Sequence, residues 1–328
     1  LGEIDNSDRQ GQVLEHLALP FRGFGRYGME RQFQLGIDLG GTNVRAALVD
    51  EDGQICELMK ERTCHDSSRE LAGQIVDLGR RMLGRHPARA VGICAPGVFL
   101  PDGTLHHATN LPEGMDRLEL LDQLKDAFGL PVFGENDANA AALGEYVFGS
   151  GRGAKSMYYV TISTGIGGGF IWNGNIIKGF HGFAGEVGSV WVTEKSEAFR
   201  ALAPGAVEGW SAGDAVLERG RAQIDPAISD AGEVFCLAKN GNHAAAQLVE
   251  EMAVGLARMF ADITCVVNPE VFVLGGGCMK SADCFMDRML SAYRQMLPEF
   301  LWDTRFVRAK LPEPGLLGCA AIAKKGMM

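Results

Sequence analysis

Two glycine-rich stretches hold the residues whose types and spacing could do chemistry. Gly40-Gly41-Thr42-Asn43 follows an apolar run at 35–38, and Thr164-Gly165-Ile166-Gly167-Gly168-Gly169 follows another at 159–162. Glycine tolerates positive φ and lacks a Cβ, so such a loop can turn successive backbone N–H groups toward one anion. Thr42 and Thr164 add hydroxyl donors. Asp38, at a strand end beside the first loop, offers a carboxylate that could hold hydrated Mg²⁺. Either loop alone reads as a tight hairpin. Two of them, in the same strand–loop–strand setting, point to phosphate binding. A third cluster, Gly275-Gly276-Gly277, ends an apolar strand pattern and leaves room for a base and ribose, so the three together suit ATP.

Other nucleotide folds do not fit. No G-x-x-x-x-G-K-[ST] occurs, which excludes a P-loop. The second loop runs into a strand pattern rather than a helix, which argues against a dinucleotide-binding turn.

The elements that must position these loops alternate. Strands are predicted at 35–38, 44–49, 90–95 and 132–135, and helices over 69–83, 118–128 and 138–148. In the first helix Leu71, Ile75, Leu78 and Met82 share one face. Asp52-Gly53 signals a hairpin turn. Alternation of strands with helices predicts an α/β architecture. The plan of 35–53, strand, glycine turn, strand, glycine turn, recurs at 159–174, so the chain reads as a duplicated α/β unit divided near 135–136. Residues 1–32 read as an extension before the fold, and Met29 could begin the folded part. The final helix, 316–324, is expected to pack back on the first half.

Composition narrows the class. Of 328 residues 46% are apolar, enough for a full core, and the formal charge is −10, which disfavours nucleic acid and anionic membranes as partners. The eight cysteines form no C-x-x-C pair and mostly sit in apolar company, as buried reduced thiols do. No run approaches the roughly 20 apolar residues of a membrane helix. No apolar leader segment is visible, so a cytoplasmic location is expected.

Four motifs in one order, Asp38-Leu-Gly-Gly-Thr-Asn-Val-Arg45, Gly134-Glu-Asn-Asp137-Ala-Asn139, the 165–169 loop and 274–277, resemble the ROK family of bacterial sugar kinases and sugar-responsive repressors. The resemblance spans about residues 33 to 325. It implies a duplicated actin/hexokinase-like (ribonuclease H-like) two-lobed α/β fold with a central inter-lobe cleft. Residues 33–135 would form the small lobe and 136–328 the large one. The activity implied is transfer of the ATP γ-phosphate to the 6-hydroxyl of a sugar, glucose by default, with N-acetylmannosamine or another N-acylhexosamine as the alternative. A homodimer is expected. The repressor alternative would need a DNA-binding module larger than the ~30 residues before the fold, and a sugar-binding protein without transfer is disfavoured by the site residues.

Carried over residue by residue, the resemblance makes Asp137 the general base, with Asn136 beside it at the sugar. Read alone, Asp137 is equally an N-cap. Asn110 and Gly97 match the first-lobe sugar segment, though Asn110 before Leu111-Pro112 also reads as a turn residue. Glu186 and Glu208 match carboxylates that accept from sugar hydroxyls and would otherwise read as surface acids. Asp38, Gly40, Gly41, Thr42, Asn43, Thr164, Gly165, Gly167, Gly275, Gly276 and Gly277 fall to ATP. In one respect the chain departs from the pattern. Most members carry a zinc site built from a His three residues after the first Glu and three Cys. Here those positions hold Ser189, Phe199, Ala201 and Ala206, none of which can replace a thiolate or imidazole ligand. No zinc is expected. The 191–204 segment must be held by packing, with Trp191, Phe199 and Leu202 as candidates. Ser189 leaves room near the sugar's anomeric end, which opens the choice of sugar.

Overall fold

The computed structural model describes residues 32–100, 102–108, 110–116 and 118–328, so the reading of 1–31 as an extension, with Met29 as a possible start, lies outside the described residues. Contacts divide the chain into two units. One ends at Gly134 and takes in Ile322–Met328; the other is Glu135–Ala321.

The first unit is built on β1 (Phe33–Leu39), β2 (Asn43–Val49), β3 (Ile55–Arg62), α1 (Ser68–Leu83), β4 (Ala88–Ala95), the small hairpin β5 (Val98–Phe99) and β6 (Leu105–His106), α2 (Leu120–Phe128) and β7 (Val132–Asn136). Its sheet runs β3-β2-β1-β4-β7, with β1–β2 and β2–β3 antiparallel and β1–β4 parallel. Ser67 caps α1, accepting from the Glu70 N–H, while its hydroxyl donates back to the Glu70 carboxylate. The face expected from the sequence, Leu71, Ile75, Leu78 and Met82, is buried against the sheet residues Leu35, Ile37, Leu48 and Ile93. Burial of each such side chain contributes about 1.5–3 kcal/mol.

The second unit repeats that sheet. Helix α3 (Asp137–Val147) is followed by β8 (Ser156–Ile162), β9 (Ile166–Trp172) and β10 (Asn175–Ile176). Next come α4 (Glu208–Ser211), α5 (Gly213–Gln223), α6 (Ala231–Lys239), α7 (His243–Val267), β11 (Val271–Gly275), α8 (Met286–Met296), β12 (Arg305–Arg308) and α9 (Pro314–Gly326). The order is β10-β9-β8-β11-β12, with β8–β9 and β9–β10 antiparallel and β8–β11 parallel. Strand for strand, β8, β9, β10 and β11 repeat β1, β2, β3 and β4, and both glycine loops occupy the same first hairpin. The long helix α7 buries Leu248, Met252, Leu256, Phe260 and Ile263 in the core of this unit. Phe260 meets Phe272 edge-on at 5.0 Å, and Phe272 stacks on Phe306 at 4.8 Å.

Among the described residues no helix is long and apolar enough to cross a membrane.

Candidate functional site

In the first unit the loop between β1 and β2 is closed by the Gly40 N–H, which donates to the Asn43 carbonyl at 3.0 Å. Three further bonds reach this loop from the connector after β3. The Thr63 hydroxyl donates to the Gly40 carbonyl at 2.6 Å, the Thr63 N–H to the Thr42 carbonyl at 3.0 Å, and His65 Nε2 lies 2.7 Å from the Gly41 carbonyl. Among the described residues nothing accepts from the N–H of Gly41 or Thr42. The buried carboxylate of Asp38 receives the Arg45 guanidinium at 2.5 Å on one oxygen and the Cys94 thiol at 3.4 Å on the other.

Of the expected sugar residues of this unit, Asn110 lies beside this loop. A Cβ at Gly41 would lie 3.0 Å from the Asn110 Cβ and 3.1 Å from its carbonyl oxygen. Asn110 itself is held at a φ of +70°, a conformation Asn tolerates better than most residues. Gly97 has a φ of +107° and its Cα faces the His106 carbonyl, where a Cβ would come within 2.4 Å. Asn110 thus abuts the first glycine loop.

In the second unit four segments converge. Strand β7 hands over to α3 at Asn136-Asp137. The side-chain oxygen of Asn136 caps the helix, accepting from the N–H groups of Ala138 and Asn139 at 2.9 and 3.1 Å. Asp137, the first helical residue, is exposed, and one of its oxygens accepts from Ala138 N–H at 2.8 Å. The capping role that Asp137 could have had is Asn136's. Beneath them Glu135 is buried. It accepts from Asn136 N–H and Asn139 Nδ2, and its other oxygen pairs with Lys178 Nζ at 2.7 Å. The sequence reading missed both Glu135 and Lys178, because a single acid beside Asn-Asp and a lone lysine 43 residues later carry no spacing signal.

The start of β9, just after the loop that joins it to β8, lies against the start of α3, where a Cβ at Gly167 would be 3.3 Å from the Ala138 Cβ. Two amides from the start of α5 hold the loop carbonyls, Gly213 N–H on Ser163 at 2.7 Å and Asp214 N–H on Thr164 at 3.3 Å. Glu208, at the start of α4, accepts from the Ile166 N–H at 2.8 Å. Nothing among the described residues accepts from the N–H of Thr164 or Gly165. Glu186 precedes a single 3₁₀ turn, Val187–Ser189, and the Ser189 N–H donates to the Glu186 carbonyl at 3.3 Å. That bond closes the turn and puts Glu186 and Ser189 at its two ends. Glu186 also faces Tyr158, whose phenol is pushed up to about 12, first by burial and then by the Glu186 charge.

The third glycine cluster is tighter than expected. A Cβ at Gly275 would strike the Tyr159 hydroxyl at 2.5 Å, and one at Gly276 the Ile162 carbonyl at 2.3 Å, whereas Gly277 has only Ser163 Oγ nearby, at 3.6 Å. Two of these glycines serve close packing on β8, and Gly277 is the least crowded of the three.

The segment leading to Glu208 is held by short-range packing. Phe199 and Leu202 exchange two backbone hydrogen bonds, Arg200 lies over the Phe199 ring at 4.9 Å and pairs with Asp214, and Phe199 backs onto Gly209. The Trp191 indole lies on Gly205 while remaining 58% exposed. A cavity of about 680 Å³ opens beside Trp191, Arg258, Asp262 and Cys265, and none of the candidate residues lines it.

The ROK family matches residues 34–326. Glucokinase of Halalkalibacterium halodurans is 32% identical over 279 residues, covering 79% of this chain and 84% of that one. N-acetylmannosamine kinase of Citrobacter koseri is 31% identical over 246 residues, covering 74% and 82%. In structure the chain is similar to the ROK hexokinase of Thermus thermophilus, with a TM-score of 0.82, 30% identity, and coverage of 90% of this chain and 99% of that one. It is also similar to a ROK glucokinase from Streptomyces griseus in complex with glucose and AMPPNP, with a TM-score of 0.74, 28% identity and coverage of 90% and 100%.

Proposed function

The chain belongs to the ROK family, and from that premise we propose that it is an ATP-dependent sugar kinase transferring the γ-phosphate to the 6-hydroxyl of a hexose, with glucose as the first substrate to test. The observation that carries this reading is the division of labour at the start of α3. Asn136 caps the helix, which leaves the exposed carboxylate of Asp137 at its N-terminus, and the next residue, Ala138, lies against Gly167 of β9, the strand that follows the loop with unpartnered amides.

Phosphoryl transfer asks mainly for positioning and charge neutralisation. Asp137 accepts the proton of the attacking hydroxyl, which makes that oxygen a better nucleophile as its bond to phosphorus forms. Glu186 accepts from sugar hydroxyls, with Ser189 beside it, and Asn110 offers both a donor and an acceptor to a diol. The N–H groups of Gly41, Thr42, Thr164 and Gly165 serve phosphate oxygens, and Gly277 gives space to the adenosine. Mg²⁺ supplies neutralisation of the phosphate charge when bound. Arg45 and Cys94 already engage the Asp38 oxygens, a donor set that suits a hold through water better than direct ligation.

One observation favours a second substrate class. Ser189, small and exposed, stands where most family members carry a histidine, and an N-acyl group needs that kind of room. The test is ADP formation across a panel of hexoses and N-acetylhexosamines. Turnover with glucose supports the first substrate and turnover with N-acetylmannosamine the second. ADP release indifferent to every sugar would sink the kinase reading.

A further inference from the structure

We infer that Thr63 and His65, in the connector between β3 and α1, are positioning residues of the first phosphate loop, an assignment that rests on the kinase reading above. Between them they hold three successive carbonyls, those of Gly40, Gly41 and Thr42, at 2.6, 2.7 and 3.0 Å. A carbonyl only accepts, so His65 Nε2 carries the hydrogen. A trans peptide is planar, and its C=O and the following N–H point in opposite directions. Fixing the carbonyls of Gly40 and Gly41 on one side therefore aims the N–H groups of Gly41 and Thr42 at the other, and these two amides have no acceptor among the described residues.

The need for such a hold follows from the residues of the loop. Two consecutive glycines can rotate their peptide planes at little cost, and a rotated plane presents an oxygen where a phosphate requires a hydrogen. Thr63 is buried at 7% exposure and lies 23 residues along the chain from Gly40, so its bond is tertiary and closes no local turn. The second loop has the same device in another form. There the amides of Gly213 and Asp214 hold the carbonyls of Ser163 and Thr164, and the N–H groups of Thr164 and Gly165 are the ones without acceptors. Two loops held by different groups thus have their carbonyls fixed from behind, which is the arrangement an anion on the amide side requires. In the second loop backbone groups do the holding, and in the first it falls partly to side chains that can be replaced.

The experiment measures binding of AMPPNP and of sugar by calorimetry, with thermal midpoints, for the full chain and four variants. Thr63→Val keeps shape and removes the hydroxyl donor, and His65→Phe removes the ring donor at an exposed position. Thr63→Ser and His65→Gln keep a donor. Each of the first pair is expected to lose about tenfold in nucleotide affinity, the worth of one oriented hydrogen bond, with sugar affinity unchanged and the midpoint lowered by only a few degrees. The second pair should recover to within about twofold. Unchanged nucleotide affinity in Thr63→Val and His65→Phe overturns the assignment. So does a parallel loss of nucleotide affinity, sugar affinity and midpoint, which would mark a purely structural role. If the unaltered chain binds no nucleotide, the kinase reading itself falls, a result separate from either.

Discussion

Glu208 and Ile166 are 42 residues apart in the chain, yet the Glu208 carboxylate accepts the Ile166 N–H at 2.8 Å. The same oxygen lies 2.6 Å from where a Cβ at Gly165 would stand, so the glycine is required by the acid behind it. A residue matched to sugar binding on its motif is therefore also a support of the second glycine loop.

Replacing Glu208 separates these two roles. Glu208→Gln keeps a carbonyl oxygen for Ile166 but gives a sugar hydroxyl a neutral partner. Its KM for ATP should stay within about twofold of the original while the KM for sugar rises about tenfold. Glu208→Ala leaves the Ile166 amide unpaired, so both KM values should rise and kcat should fall about 10- to 100-fold. Steady-state kinetics with each substrate varied in turn makes the comparison. A normal ATP KM in Glu208→Ala would show that the loop does not depend on this bond.

Asp137→Asn tests the base. The cap on α3 belongs to Asn136, so the helix should be undisturbed and sugar binding, read by calorimetry, should survive. Turnover should fall about 10²–10⁴-fold, the usual worth of a general base. Near-normal turnover would remove Asp137 from that role.

Why some of this was legible in the sequence, and some not, follows from the range of the interactions. The glycine hairpins, the apolar face of α1 and the Asn-Asp step into α3 are local patterns, in which the residue types and their spacing state the geometry directly. The choice between Asn136 and Asp137 as the cap was not legible, since both residue types cap well and only the path of the chain decides. Thr63, His65, Glu135 and Glu208 act through contacts with partners far along the chain or outside any motif, and nothing near them in sequence announces those partners. Strand β10, with two residues, and β12, with four, are too short for alternation to appear. The crowding of the glycines at 275 and 276 against Tyr159 and Ile162 is likewise not legible, because it comes from the neighbouring strand.

Glu145 is a buried acid outside the proposed reaction, and its role is structural. One oxygen accepts from the N–H of Lys310 and Leu311 at 3.0 and 2.8 Å, and the other from Ser150 at 2.7 Å, which ties the end of α3 to the segment between β12 and α9. Glu145→Ala strands three backbone donors and should cost about 3–5 kcal/mol. Glu145→Gln keeps the first oxygen and should cost about 1–2 kcal/mol. All four tryptophans, Trp172, Trp191, Trp210 and Trp302, lie in the second unit, so urea unfolding followed by tryptophan fluorescence reads the affected part. Equal midpoints for the original and the Ala variant would refute the account.

The second unit should also weaken in alkali. Burial, helped by the charge of Glu186, raises the Tyr158 phenol to about 12. Burial chiefly raises Tyr159 to about 12 against an opposing hydrogen bond with Thr161, and raises the Cys278 thiol to about 11, with Asp214 adding to it. Each group ionises more readily unfolded, at 10.0 for the tyrosines and 9.0 for the thiol. Their neutral forms are favoured by the folded state, so this contribution is complete below pH 9 and declines as the pH rises toward 12. At its end each tyrosine accounts for about 2–3 kcal/mol. Urea midpoints should therefore be level up to pH 9 and fall progressively at pH 10 and 11. Tyr158→Phe combined with Tyr159→Phe removes two of the three ionisations and should flatten the fall above pH 10, leaving the earlier decline due to Cys278. An alkaline slope unchanged in that double variant would mean that other groups govern it.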